Sequence, residues 1–211
     1  MPGALSRIRS AGAFAALALA ACAAAPPQRS AEWIDPALGA SSGVLRGQKV
    51  LVACEAWDLA MRQNCQESLF RQLQARGASP VAPANALSAG SSRELDSQLM
   101  AHAASAGART VLVVALTPAT FGGGGFSGAS IGIGGFSFGN SGGGGIGLSA
   151  PIGGSGWGNT GFAAQGRITD VSNGRLLWST TFVASPSADF AAQVRELTGS
   201  VVNAAQGAGL L

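Results

Sequence analysis

The chain has 211 residues, thirteen basic and ten acidic side chains, one histidine and three cysteines. That length suffices for one domain with a real core. The basic excess does not point to nucleic acid, which needs clustered Lys and Arg, because Lys49 is the only lysine and the arginines are scattered. Thirty-two glycines without a Gly-X-Y period exclude a collagen-like chain.

The N-terminus reads as a secretory leader. Arg7 and Arg9 form a positive start, Ala11 to Ala18 with Phe14 and Leu17 form a short apolar run, and small residues follow. The apolar run is too short to span a membrane. Leu19-Ala20-Ala21-Cys22 closes it and resembles the lipobox of a bacterial lipoprotein signal. The resemblance implies cleavage before Cys22, acyl chains such as palmitate on its thiol and new amino group, and anchoring to a membrane. Several acyl chains, at about 0.8 kcal/mol per buried methylene, hold a protein on a bilayer durably. An ordinary cleaved signal ending near a cysteine is the alternative. Without residues 1–21 the chain holds eleven basic and ten acidic side chains, an even balance.

Cys54 and Cys65 remain. In an oxidising compartment an even pair usually bonds, and a loop this short adds roughly 3 kcal/mol by restricting the unfolded chain. The alternative is two buried free thiols filling space.

Residues 22–47, rich in Ala, Pro, Ser and Gly, read as a flexible tether spanning about 25–30 Å. Trp33 and Ile34 interrupt it and are candidates for docking onto the domain at 48–211. Lys49 to Cys54 is a short apolar run that predicts a buried strand. A helix is predicted from about Asp58 to Arg76, with Met61, Cys65, Leu69 and Leu73 as its apolar stripe and Gly77 as its stop. Pro80-Val81-Ala82 predicts a weak edge strand. Ser91-Ser92-Arg93-Glu94 matches a capping box. Leu95, Leu99, Ala103 and Ala106 then mark a second amphipathic helix. Val111 to Leu116 is apolar on both faces, which suits a central strand covered by helices.

Residues 122–161 form a glycine-rich insert. Ile131 and Ile133, Phe136 and Phe138, and Ile146 and Leu148 stand at period two inside it. They read either as glycine-weakened strands in a projecting hairpin or as a loop, outside the membrane in both cases. Next come two alternating segments, Phe162 to Thr169 and Leu176 to Phe182. A three-residue turn, Ser172-Asn173-Gly174 with Gly174 left-handed, pairs Ile168 with Trp178, Ala164 with Phe182, Arg167 with Ser179 and Gln165 with Thr181. That register keeps one face apolar, whereas a two-residue turn mixes the faces. Phe190, Val194, Leu197 and Val201 mark a third helix, capped near Ser187.

The predicted class is α/β, a single mixed sheet with helices packed on it and the glycine-rich insert. Its element order, together with Asp170-Val171-Ser172-Asn173-Gly174-Arg175-Leu176-Leu177-Trp178, resembles a group of bacterial envelope lipoproteins. The group includes the periplasmic part of the curli-secretion channel, the penicillin-binding-protein activator lipoproteins and the amino-terminal domain of TolB. The resemblance covers Gln48 to about Gln206 and departs from the group in the glycine tract. It implies an α/β sandwich that binds other envelope proteins or oligomerises, with no catalytic residues to carry over.

Motifs for chemistry lack their settings. Gly135-Phe136-Ser137-Phe138-Gly139 and Gly139-Asn140-Ser141-Gly142-Gly143 match a hydrolase elbow, but no helix is predicted after them and His102 precedes them. The GxGxxG matches at 123–128 and 156–161 lack a βαβ setting. His102, Cys54 and Cys65 do not have zinc-site spacing. His102 reads as a helix-surface residue. The expectation is a lipid-anchored periplasmic adaptor or assembly factor acting by protein binding, without enzymatic activity, cofactor, metal or nucleic acid. Its partners are the membrane, through Cys22, and an envelope protein or further copies of itself. Ala23 after the anchor, where an Asp often signals inner-membrane retention, favours the outer membrane. The alternative is an oligomeric membrane-active or pore-forming lipoprotein using the glycine-rich strands.

Overall fold

A computed structural model describes residues 25–39, 42–83, 92–120 and 160–211. The leader, Cys22, Ser91 of the capping box, and the glycine tract with its two serine motifs and both GxGxxG matches lie outside the described residues or rest on residues outside them.

In chain order the elements are β1 (Gln28–Ile34), β2 (Lys49–Glu55), α1 (Leu59–Gln74), β3 (Ser79–Val81), α2 (Ser92–Ala106), β4 (Thr110–Thr120), β5 (Thr160–Asp170), β6 (Leu176–Ala184) and α3 (Phe190–Gly207). The strands form one sheet in the order β1-β6-β5-β4-β2-β3. Pairing is parallel for β2 with β3 and with β4, and antiparallel from β4 through β5 and β6 to β1. The fold is thus the expected single mixed sheet with helices packed on it.

The helices divide between the faces for a reason of handedness. The connection from β2 to β3 steps one way along the sheet, and the connection from β3 back past β2 to β4 steps the other way. Right-handed crossovers in opposite directions place their helices on opposite faces. The core accordingly has two parts. Val50, Val52 and Cys54 of β2 and Leu112, Val114 and Leu116 of β4 pack with the Met61, Cys65, Leu69 and Leu73 stripe of α1 and with Val194, Leu197 and Val201 of α3. The alternate residues Leu51, Ala53, Val111 and Val113 pack under Leu99 and Ala103 of α2. Strands β2 and β4 are therefore buried on both faces, as their unbroken apolar runs require.

Asp58 caps α1, its carboxylate accepting from the Met61 amide at 2.8 Å. The third helix is capped near Ser187, at Asp189. The Asp189 carboxylate accepts from the Ala192 amide at 2.8 Å, while the Ser187 hydroxyl accepts from the Asp189 amide at 3.2 Å. The ionised carboxylate takes the free amide of the first turn, and the serine supports the residue that holds it.

The β5–β6 register is the one that keeps the apolar face intact: Ile168 with Trp178, Arg167 with Ser179, Gln165 with Thr181 and Ala164 with Phe182. The turn differs. Gly174 is left-handed (φ 68°), but the ladder closes one step lower, with the Asp170 amide donating to the Arg175 carbonyl. The Asp170 carboxylate accepts from the amide and hydroxyl of Ser172, and the Asn173 side chain accepts from the Arg175 amide. Thr169 then pairs with Leu176, so Leu177 is the extra residue of a bulge. Leu177 and Trp178 consequently enter the same core.

Gly166 faces α3, where a Cβ would stand 2.5 Å from Cγ1 of Val201. Its lack of a side chain lets the helix lie close to the strand.

The tether reading of 22–47 needs correcting. Gln28–Ile34 is a strand on the β6 edge of the sheet, and the domain begins there rather than at 48. All seven residues are exposed, so no apolar period marks them. The strand is held by its ladder and by cross-strand bonds: Trp178 Nε1 donates to Glu32 Oε1 at 3.2 Å, and the Thr180 hydroxyl donates to the Ala31 carbonyl at 3.0 Å. Farther on, Leu45 is fully buried, its amide donating to the Leu210 carbonyl at 2.8 Å.

Candidate functional site

The most distinctive cluster of chemical groups is an ionic triad between α2 and the sheet. The strand run from Phe162 to Thr169 holds one charged residue, Arg167. Its register partner is Val113, which pairs with Ala53, so its side chain lies on the α2 face, where Glu55 follows two residues along β2. Arg167 Nη2 donates to Glu55 Oε1 at 3.1 Å and to Asp96 Oδ1 of α2 at 2.5 Å. Arg167 is 5% exposed and Asp96 8%.

Two carboxylates share one guanidinium, so the fully ionised triad carries a net negative charge in a poorly hydrated site. Burial, with a smaller push from Glu55, raises the Asp96 carboxyl from its ordinary 3.8 to about 6, although Arg167 pulls the other way. Protonated Asp96 leaves the remaining pair neutral. Chemically the arrangement is a clamp holding α2 to the sheet. Arg167 and Asp96 are covered, and Glu55 is the member of the triad that keeps partial access to solvent.

On the opposite face α1 and α3 share a smaller polar contact, Ser68 to Thr198 at 2.8 Å, which Gln72 joins. At the end of the sheet where β4 begins, a cleft of about 470 Å³ is lined by Ser42, Gln48, Arg109, Thr110 and Asp170, among others. It holds one exposed guanidinium, one carboxylate and hydroxyls. Among the described residues, exposed large apolar side chains occur in two places. Trp33 (44%) and Ile34 (39%) end β1, and Trp57 (58%) and Leu59 (61%) form the corner between β2 and α1.

Of the residues singled out in the sequence, Cys54 and Cys65 are brought together as a disulfide with Cα atoms 6.1 Å apart, linking the end of β2 to the core side of α1. Intact mass is expected to show one bridge in the exported protein, and reduction to lower the unfolding free energy by about 3 kcal/mol. Two thiols that alkylate before any reductant is added would refute this. His102 sits half-buried on α2. Among the described residues no group of His, Cys, Asp and Glu could hold a metal ion, and no helix is long and apolar enough to cross a membrane. Sequence reasoning missed the triad. Its one signal was Arg167 itself, a lone charge on an otherwise uncharged alternating strand.

In class, the chain is a mixed α/β sandwich in which the buried pair Arg167 and Asp96 holds α2 to the sheet. No family model matches it, and no curated protein does. Solved structures of a PelC dodecamer from Paraburkholderia phytofirmans are similar in fold. One is 16% identical, covering 86% of this chain and 96% of that one, with a TM-score of 0.49. The other, a point variant of the same protein, is 18% identical over 88% and 99%, also at 0.49. Likeness at this level carries no argument about activity or partners.

Proposed function

We propose that the protein is a lipid-anchored adaptor or assembly factor of the cell envelope that acts by binding other proteins rather than by catalysis. The observation that carries this reading is Leu19-Ala20-Ala21-Cys22 at the end of a secretory leader, only a few residues ahead of the sheet's first strand. Ala23 after the anchor favours the outer membrane, facing the periplasm. The triad supports binding over catalysis, because its Arg167 and Asp96 are buried between α2 and the sheet and pair with each other and with Glu55. The resemblance of the Asp170 to Trp178 hairpin to envelope lipoproteins points the same way.

The experiment is fractionation of the full chain and its Cys22→Ser variant after export, followed by affinity capture from envelope extracts. The wild type is expected in the membrane fraction with a stoichiometric envelope partner, and the variant in the soluble fraction. A variant that still pellets with membranes overturns the anchor, and a wild type without a partner overturns the adaptor.

A further inference from the structure

We propose that the corner carrying Trp57 and Leu59 rests on the bilayer surface, so that the domain stands on the membrane by the end of its sheet at which the anchored chain enters; this rests on the lipidation of Cys22. The sheet register places the two features together. Glu55, Ala115, Gln165, Thr181 and Ala31 form one row across the five strands. Gln28 lies in the next row outward, with Thr117, Ala163 and Val183. Trp57 lies two residues past Glu55, just beyond the end of β2, and so at the same end of the sheet as Gln28. Four strand spacings of about 4.8 Å put the two about 19 Å apart along the same edge.

Cys22 precedes Gln28 by six residues. Six residues reach at most about 20 Å, so a lipidated Cys22 keeps this edge, not the opposite one, against the headgroups. Trp57 and Leu59 are the two most exposed large apolar side chains among the described residues. A tryptophan beside an aliphatic residue suits the membrane interface, where the ring places an apolar body and a polar N–H. The corner is also rigid. The disulfide closes the ring from Cys54 to Cys65 around it, and the Asp58 cap fixes the helix start between the two side chains. Insertion then costs little ordering.

Among the described side chains, several charges on this edge are tied up locally. Asp58 and Asp189 cap helices, Arg29 pairs with Glu32 at 2.6 Å, and Arg62 donates to the Ala56 carbonyl at 3.1 Å. Lys49, Arg109 and Arg175 are exposed at the far end. The β4–β5 ribbon overshoots the Gln28 row by three residues, about 10 Å. It holds no charged residue at 115–120 or 160–164, which suits a place in the headgroup layer.

The test uses the lipidated full chain, with acylation of Cys22 read first from intact mass. The protein carries Trp157→Phe throughout and is reconstituted into phosphatidylethanolamine–phosphatidylglycerol vesicles with brominated acyl chains. Tryptophan quenching by the brominated lipid is expected, and Trp57→Phe is expected to remove about half of it or more. Leu59→Asp should reduce it about twofold by lifting the corner. Acylated, membrane-bound protein whose quenching does not respond to Trp57→Phe overturns the contact and leaves the anchor standing. So does a Trp57 shielded from iodide but not quenched by the lipid, which marks a protein neighbour instead. Unacylated protein overturns the anchor itself, and with it this inference.

Discussion

Replacing Arg167 with methionine is expected to cost about 3–5 kcal/mol of unfolding free energy near pH 7. Methionine fills a similar path across β4 but leaves Asp96 and Glu55 facing each other without their shared cation. The penalty is that of uncompensated charge, not of lost volume, and pH separates the two. In the native protein Asp96 titrates at about 6 against 3.8 for the ordinary group. The folded state therefore holds a proton that the unfolded state has already released. The stability from this group is complete below about pH 3.8 and is lost as pH rises through about 6. Without Arg167 the chief influence opposing burial is gone, so Asp96 moves higher still. The cost of the substitution should then shrink as pH falls toward about 5, where the carboxyl is neutral in the variant. Urea unfolding of wild type and variant at both pH values reads this directly. A cost equal at both would show that packing, not charge, is what Arg167 supplies. The triple replacement Glu55→Leu, Arg167→Met, Asp96→Leu should recover most of the loss, because an apolar cluster needs no counter-charge.

The same contrast explains what could be read from the chain. Helices α1 and α3 and strands β2 and β4 bury regular apolar patterns, and a pattern of burial is visible in sequence. The hairpin register was legible because Ile168 with Trp178 and Ala164 with Phe182 keep one face apolar and the competing register does not. Strand β1 was illegible for the converse reason. It buries nothing, and what holds it is a backbone ladder to β6, which leaves no trace in residue type, together with bonds from Trp178 and Thr180, residues about 150 positions away in the chain. The bulge at Leu177 was hidden because it follows from side chains of Asp170 and Asn173 rearranging the turn locally. The triad joins residues 71 and 112 positions apart, so its members gain meaning only once β5, β2 and α2 are set side by side. Cys22 is the opposite case, a feature carried by sequence alone. Of the candidate groups, the cysteine pair was the one that both spacing and fold brought together.

Trp178→Ala is expected to destabilise the protein by about 3–5 kcal/mol, the range for emptying a fully buried aromatic site. The surroundings can do little to collapse into the space. The bulge fixes Leu177 in the same core, and Phe182 and Ile168 belong to its rigid ladder. Across the sheet Gly166 has no side chain to move, and Val201 of α3 already occupies the room beside it. Trp178 also ties down the edge strand, since its indole N–H donates to Glu32 of β1. Trp178→Phe separates the two roles. It keeps most of the ring volume and loses the hydrogen bond, so its cost in stability should be smaller, with about 1 kcal/mol of it owed to that bond. Both variants should speed hydrogen exchange at the β1 amides, while the β2–β4 amides slow or quicken only with global stability. Guanidinium unfolding gives the first quantity and native-state exchange the second. An alanine variant costing less than about 1 kcal/mol, or β1 protection unchanged in both, would mean that the edge strand is held by its backbone ladder alone and that the core relaxes more freely than its packing suggests.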